Sequence, residues 1–151
     1  MAYIKGAERH EGCIFCVFPA QDPTNDETNL IVARGELSFV ILNKFPYNTG
    51  HLMVTPYRHT AEWESLTPDE IAEVGAFSQR CINALKETLG PQGFNVGVNQ
   101  GTPAGAGIAD HVHLHVVPRW GGDTNFMTTV GGAKVIPEDL ETTWARLKPH
   151  L

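Results

Sequence analysis

The chain has 151 residues, of which 42% are hydrophobic and 19% charged, and this composition is typical of one globular domain with its own core. Seventeen acidic residues against eleven basic ones give a net charge of -6, which disfavours a broad nucleic-acid-binding surface. No apolar run approaches the roughly 20 residues of a membrane span, and the first residues lack the apolar centre of a signal peptide. We therefore expect a single domain over residues 1–151, in the cytoplasm, with no nucleic-acid or membrane partner.

The first half of the chain contains three predicted strands. A polar stretch over residues 21–28 (QDPTNDET) indicates an exposed loop, and the apolar residues 30–33 after it end at the turn Arg34-Gly35. Residues 37–42 (LSFVIL) and 51–54 (HLMV) are also strand-like, and strong turn formers separate them. We expect these three strands to pair in antiparallel fashion.

A long helix is predicted to follow. Thr67-Pro68-Asp69-Glu70 offers an N-cap residue, a proline at the first helical position and a glutamate three residues beyond the cap. Gly90-Pro91 marks the end of the helix. The residues predicted to form its buried face recur at three- and four-residue steps, and they are Ile71, Val74, Ser78, Cys81, Ile82, Leu85 and Leu89.

The last third of the chain returns to strands. Phe94, Val96 and Val98 alternate with polar or small residues, which predicts a half-buried strand leading into the glycine-rich loop 101–107 (GTPAGAG). A further strand follows the loop, and a short helix is expected over residues 137–148. Strands and helices in this order indicate the α+β class.

The strand after the loop carries three histidines in alternation, His111, His113 and His115. On a strand this spacing places the imidazoles on one face, roughly 6.6 Å apart, with Val112, Leu114 and Val116 facing the core. Three functions fit such a ladder. It could be the polar face of an amphipathic strand, a metal site with Asp110 as the nearby carboxylate, or a nucleophilic imidazole with two imidazole hydrogen-bond donors beside it.

The motif His-x-His-x-His followed by two apolar residues resembles that of the histidine-triad superfamily of nucleotide hydrolases and transferases. The similarity extends to Leu42-Asn43-Lys44, to Gly50-His51 and to the long helix. It implies a five-stranded antiparallel sheet with one long and one short helix, and a homodimer. In chemistry, it implies that His113 forms a nucleotidyl-histidine intermediate, that His115 contacts the scissile phosphate, and that His51 is an accessory catalytic residue. In a related transferase branch of the superfamily, glutamine replaces the third histidine of the motif. This chain retains His115 at that position, so the resemblance favours hydrolysis or phosphorolysis.

Several local segments are similar to the microbial branch near diadenosine tetraphosphate phosphorylases. The implied substrate is a dinucleoside polyphosphate, with water or inorganic phosphate as the acceptor; nucleoside phosphoramidate hydrolysis and nucleotide binding without turnover are the alternatives. The loop from Gly101 to His111 is one residue longer than in fragile-histidine-triad hydrolases, so we expect backbone amides rather than a transferred side chain to bind phosphate. The predicted nucleotide and phosphate contacts are Asn43, Asn99, Gly105, Gly107 and His115, with Lys44, Arg119 and Trp120 as further candidates.

The pair Cys13 and Cys16 admits three interpretations: a redox pair, half of a zinc site, or two small core residues. Superfamily members with a similar pair complete a zinc site with the histidine of a Pro-x-x-His segment and the first triad histidine. In this chain these residues are His59 and His111. The resemblance therefore implies one structural zinc, and we expect no organic cofactor.

Overall fold

The computed structural model describes residues 12–124 and 138–151. Its five strands are β1 Ile31–Arg34, β2 Ser38–Leu42, β3 Leu52–Pro56, β4 Gly93–Val98 and β5 Leu114–Arg119. Its α-helices are α1 Ile14–Ala20, α2 Asp26–Asn29, α3 Pro68–Thr88 and α4 Leu140–Leu147. The strands form one sheet in the order β1-β2-β3-β5-β4, and all neighbouring pairs are antiparallel. The predicted α+β class and five-stranded antiparallel sheet are therefore confirmed.

The register of the sheet decides which side chains share a face. Met53 lies opposite Ile41 on β2 and opposite His115 on β5, whereas Leu52 lies opposite Val116. Since paired residues point to the same side of a sheet, one face carries Met53 and His115 and the other carries Leu52 and Val116.

Helix α3 covers the Leu52 face and forms the main core with β2, β3 and β5. Its start is the predicted capping box: the Thr67 side chain accepts from the Glu70 amide, and the Glu70 carboxylate accepts from the Thr67 amide. The predicted buried face is correct for Val74, Cys81 and Leu85 and wrong for Ile71, which is 36% exposed. Phe77 and Ala84, absent from the predicted stripe, are buried in its place.

The segment 21–28 is not the simple exposed loop expected from its polarity. Pro23–Asn25 form a 3-10 turn and α2 follows directly, and α1 and α2 are two short α-helices beyond the long and the short helix expected. Asp22 initiates the turn by accepting a hydrogen bond from the Thr24 amide. The buried Asp26 carboxylate pairs with Arg34 at 2.8 Å, and this ion pair holds the segment against β1.

Helix α4 closes the core from the C-terminal end of the chain. Asp139 caps it by accepting from the Thr142 amide at 2.7 Å, and Leu147 is fully buried. The Trp144 indole donates to the Ile31 carbonyl at 2.8 Å, which ties the helix to β1. The predicted start at residue 137 lies outside the described residues.

Strand β4, like β1, is an outer strand of the sheet among the described residues. Its predicted half-buried alternation is wrong at Val96, which is 46% exposed, while Phe94 packs against the core. Val96 is exposed because α3 packs mainly against β2, β3 and β5 and does not cover this part of β4.

In residues 12–124 and 138–151, none of the helices has both the length and the apolar character that crossing a bilayer requires.

Candidate active site and metal centre

The three alternating histidines lie where the chain enters β5. The strand begins at Leu114, three residues later than the histidine ladder predicts, and the Val112 amide donates to the Thr60 carbonyl at 2.7 Å. His111, His113 and His115 are all buried, so this is not the solvated polar face of an amphipathic strand. Of the residues between and after them, Val112 and Val116 are buried as expected, and Leu114 packs against the core while remaining partly exposed.

Hydrogen bonding fixes which nitrogen of His113 carries the proton. Its Nδ1 lies 2.9 Å from the His111 carbonyl oxygen, which can only accept, so Nδ1 carries the hydrogen. Burial lowers the pKa of His113, although the same hydrogen bond opposes that shift. The ring is therefore neutral near pH 7 and keeps a lone pair on Nε2, the form in which imidazole acts as a nucleophile.

A second chain of hydrogen bonds orients His115. The Tyr47 amide donates to His51 Nδ1 at 3.1 Å, which leaves the His51 Nε2–H to donate to His115 Nδ1 at 2.8 Å. Burial, together with the charges of neighbouring histidines, lowers the pKa of His51 to about 3 and that of His115 to about 4. Both rings are thus neutral, and His115 must carry its hydrogen on Nε2, where it can donate to a ligand.

Asn43 and Tyr47 complete the surroundings of His51. The Asn43 carbonyl oxygen accepts from the Phe45 amide at 2.9 Å, and this orients its amide nitrogen towards His51 Nδ1 at 3.4 Å. The Tyr47 ring stacks on His115 with centroids 5.9 Å apart and planes 19° apart. Asn43 therefore supports the ring of His51 and caps a turn at the same time.

An open cavity of about 550 Å³ lies beside His115, on the same face of the sheet. Gly97 stands opposite His115 on β4, and a Cβ added there would meet nothing within 4 Å. The absence of a side chain at Gly97 thus helps to form the cavity. The described lining residues are Pro46, Tyr47, Asn48, Asn95, Val96, Gly97, Asn99, His115, Val117, Arg119 and Thr124.

Among the predicted contacts, Asn99, His115 and Arg119 line this cavity. Asn43, Gly105, Gly107, Lys44 and Trp120 are not among its described lining residues. Sequence reasoning missed Tyr47 and Asn95. The aromatic residue four positions before His51 and the alternation of Asn95, Gly97 and Asn99 were the available signals.

The glycine-rich loop uses its glycines for backbone geometry. Gly101 and Gly105 have φ angles of 81° and 92°, a region that favours glycine. The Gly105 amide already donates to the Thr102 carbonyl at 3.0 Å. Gly107, in contrast, is exposed and has no such bond among the described residues. The prediction of phosphate contacts at Gly105 and Gly107 therefore fits the Gly107 amide better than the Gly105 amide.

Cys13, Cys16, His59 and His111 form one cluster, as the resemblance implies. Their four potential ligand atoms lie within 4.8 Å of one another, with Cys13 Sγ 3.4 Å from His111 Nδ1 and Cys16 Sγ 3.3 Å from His59 Nδ1. Tetrahedral zinc with bonds of about 2.0–2.3 Å needs ligand atoms roughly 3.3–3.8 Å apart. The His111 Nε2–H donates to the Pro56 carbonyl at 2.7 Å, so Nδ1 is the nitrogen that faces the two thiols and would bind a metal. The donor set and geometry fit a metal ion.

Helix α1 supplies the two cysteines of this cluster and also connects the cluster to the triad. Cys13 is the N-cap of α1 and Cys16 lies in its first turn, so the spacing of three puts both thiols on one side. Phe15, between them, is fully buried, and its ring centroid lies 5.4 Å from that of His111 and 4.9 Å from that of His113. Phe15 thus packs against both His111 of the cluster and His113.

The fold and this arrangement of histidines are those of a histidine-triad protein. A family model described as the HIT domain matches residues 24–122. The chain therefore belongs to the HIT domain family.

Three relatives place the chain within the family. It is 54% identical over 129 residues to the AP-4-A phosphorylase of Mycobacterium tuberculosis, in an alignment covering 81% of this chain and 66% of the relative. It is 32% identical over 84 residues to the bis(5'-adenosyl)-triphosphatase of Dictyostelium discoideum, with 56% of each chain covered. A Zn-bound histidine triad family protein from Mycobacterium smegmatis superposes with a TM-score of 0.70 at 27% identity, covering 92% of each chain.

Proposed function

We propose that the protein cleaves dinucleoside polyphosphates of the diadenosine tetraphosphate type through a nucleotidyl-histidine intermediate. The observation that carries this proposal is the fixed tautomer of His113, whose Nδ1–H is held by the His111 carbonyl while Nε2 keeps its lone pair. The AP-4-A phosphorylase and bis(5'-adenosyl)-triphosphatase relatives support the choice of substrate class.

The reaction has two steps. First, His113 Nε2 attacks the α-phosphate, the bond from that phosphorus to the bridging oxygen breaks, and a nucleotide leaves with the electron pair. Second, an oxygen of the acceptor attacks the same phosphorus, the N–P bond breaks, and the histidine is restored. Neutral His115 lines the cavity with an Nε2–H positioned to donate to the phosphate or to the departing oxygen, where negative charge develops.

The acceptor in the second step is inorganic phosphate in a phosphorylase and water in a hydrolase. The M. tuberculosis relative favours phosphate, which converts the adenylated histidine to ADP. Incubation of the purified protein with diadenosine tetraphosphate, with and without inorganic phosphate, distinguishes the two by chromatography. ADP formed only with phosphate indicates phosphorolysis, and AMP plus ATP without phosphate indicates hydrolysis. No nucleotide release from a folded protein would contradict the proposal and bring phosphoramidate substrates or binding without turnover forward.

Zinc at Cys13, Cys16, His59 and His111 is a second part of the proposal. All four protein ligands would be used, so the ion would be structural, with no open position for a water molecule. The Zn-bound M. smegmatis relative supports this choice of metal. Metal analysis of the purified protein should find one zinc per chain, and a variant Cys16→Ser should lose it.

We also propose a homodimer in the cytoplasm. Strand β4 has a neighbour on one side only among the described residues, and Val96 on it is 46% exposed, features that suit pairing with a second copy. The three cysteines are unpaired thiols, as is usual in a reducing compartment. Sedimentation at micromolar concentration tests the dimer, and a strictly monomeric protein would contradict it.

A further inference from the structure

Arg119 lines the same cavity as His115 and lies at the end of β5. His115, Val117 and Arg119 alternate along the strand and therefore point to one face. The Arg119 guanidinium donates to the Asn95 side-chain oxygen at 2.6 Å, and Asn95 is paired with Val117. This contact draws the guanidinium back along β5, towards the level of the residue that lies between Arg119 and His115.

The guanidinium is held in place by Asp123, with Nε at 2.8 Å from one carboxylate oxygen and the second terminal nitrogen at 2.9 Å from the other. The Asp123 side chain is only 9% exposed, whereas that of Arg119 is 42% exposed. Asp123 also accepts from the Asn48 amide at 2.7 Å and from the Trp120 amide at 3.1 Å. The guanidinium is the exposed member of the pair and Asp123 is not among the described lining residues, so the positive end of the ion pair faces the cavity.

A polyphosphate bound in this cavity needs a positively charged partner. The chain carries a net charge of -6, so its overall field repels a polyphosphate. Among the described lining residues, Arg119 is the only side chain that is permanently charged. A planar guanidinium already fixed in orientation binds phosphate oxygens with little loss of side-chain entropy.

We propose that Arg119 binds the phosphate group next to the scissile one, first as part of the leaving nucleotide and then as the inorganic phosphate acceptor. This inference rests on the proposed function, because it assigns the second phosphate group of that reaction to the part of the cavity beyond His115. In both cases the ligand is a phosphate group. The leaving nucleotide and inorganic phosphate occupy the subsite one after the other, because the nucleotide must leave before inorganic phosphate enters.

Equilibrium binding tests the assignment independently of turnover. Affinities for ATP, AMP and inorganic phosphate are measured by calorimetry for the wild type, for Arg119→Gln and for Arg119→Lys. Because AMP ends at the phosphate next to His113, Arg119→Gln should weaken ATP and inorganic phosphate by at least about tenfold while changing AMP by less than twofold. Arg119→Lys, which keeps the charge, should recover part of the loss. The KM for phosphate in phosphorolysis should rise in parallel.

Two controls separate this role from indirect effects. Arg146 is a matched arginine, 44% exposed and paired with Glu138 outside the cavity lining, and Arg146→Gln should leave all three affinities unchanged. In Arg119→Gln, the Asp123 carboxylate loses its cationic partner and would itself repel phosphate. The double variant Arg119→Gln/Asp123→Asn removes that repulsion and should still bind ATP weakly.

Each outcome decides the inference. If Arg119→Gln is folded and binds ATP and phosphate as the wild type does, or if the double variant restores ATP binding, the assignment is wrong. If the wild type binds ATP through Arg119 but cleaves no dinucleotide, the inference stands as a phosphate subsite and the proposed function fails. If the wild type cleaves the dinucleotide and Arg119→Gln has unchanged affinities and KM, the proposed function stands and the phosphate subsite at Arg119 is wrong.

Discussion

Replacement of His51 by phenylalanine should slow the reaction without leaving a void at position 51. Phenylalanine keeps an aromatic ring of similar size, but His115 Nδ1 loses its donor at 2.8 Å and the Tyr47 amide loses its acceptor at 3.1 Å. The His115 hydrogen is then free to move to Nδ1, and the Nε2 donor towards the phosphate is lost in part of the molecules. A hydrogen bond made to developing charge contributes about 1.5–3 kcal/mol, which corresponds to a decrease in kcat of roughly 10- to 100-fold.

The assay combines turnover with a direct view of the tautomer. Single-turnover kinetics with diadenosine tetraphosphate give the chemical rate, and nitrogen NMR of labelled histidine reports which His115 nitrogen is protonated. The variant His51→Gln is the matched control, because its amide can again donate towards His115 Nδ1 and should recover part of the rate. A folded His51→Phe protein with kcat within twofold of the wild type, or with His115 still protonated only on Nε2, would refute the reasoning.

Further predictions concern stability and metal. Gly50→Ala should lower the unfolding free energy by about 2–4 kcal/mol, because Gly50 has a φ of 84° and a Cβ there would lie 2.7 Å from a Leu89 methyl carbon. Gly75→Ala, inside α3 with open space around the new Cβ, should instead raise it by about 0.5–1 kcal/mol in the same urea titrations. Because folding depresses the pKa values of His51 and His115 from 6.5 to about 3 and about 4, stability is retained above pH 6.5 and lost as pH falls towards 4. Each of the two histidines should contribute a slope approaching about 1.4 kcal/mol per pH unit, measured with a chelator present; a flat profile between pH 7 and 5 would contradict this. Chelation of zinc should lower the thermal midpoint by at least about 5 °C in the wild type, and an equal midpoint in both states would argue against a structural ion.

The elements that the sequence predicts well are those with strong local signals. The start of α3 follows from Thr67, Pro68 and Glu70, which satisfy the free amides of the first turn by themselves. The strands β2 and β3 follow from apolar residues bounded by turn formers. Local signals are sufficient here because the capping hydrogen bonds of α3 join near neighbours, and because the apolar runs and turn formers of β2 and β3 lie in or beside these segments.

The features missed are those decided by partners outside the segment itself. The polar segment 21–28 becomes helical partly because Arg34 pairs with Asp26, a contact that polarity alone does not reveal. The exposure of Val96 depends on which strands α3 covers. Likewise, the triad motif identifies His113 and His115, but the hydrogen bond from His51 that fixes the His115 tautomer exists only once β3 and β5 are paired.

The cluster of Cys13, Cys16, His59 and His111 was also predicted only in part from local signals. The spacing of Cys13 and Cys16 left three interpretations open, and resemblance to known proteins supplied the two histidines. The structure adds the physical reason: His111 directs one nitrogen to the Pro56 carbonyl and presents the other to the thiols.

The central claim is that His113 becomes covalently bonded to the nucleotide, and it is tested by trapping the adduct. The protein is mixed with diadenosine tetraphosphate in the absence of phosphate and quenched in alkali, since acid cleaves the N–P bond, and its peptides are then analysed by mass spectrometry. We predict an adenylyl group on the peptide that contains His113, lost when phosphate is added and absent from a folded His113→Ala protein. An adduct on a different residue, or full turnover by His113→Ala, would contradict the account.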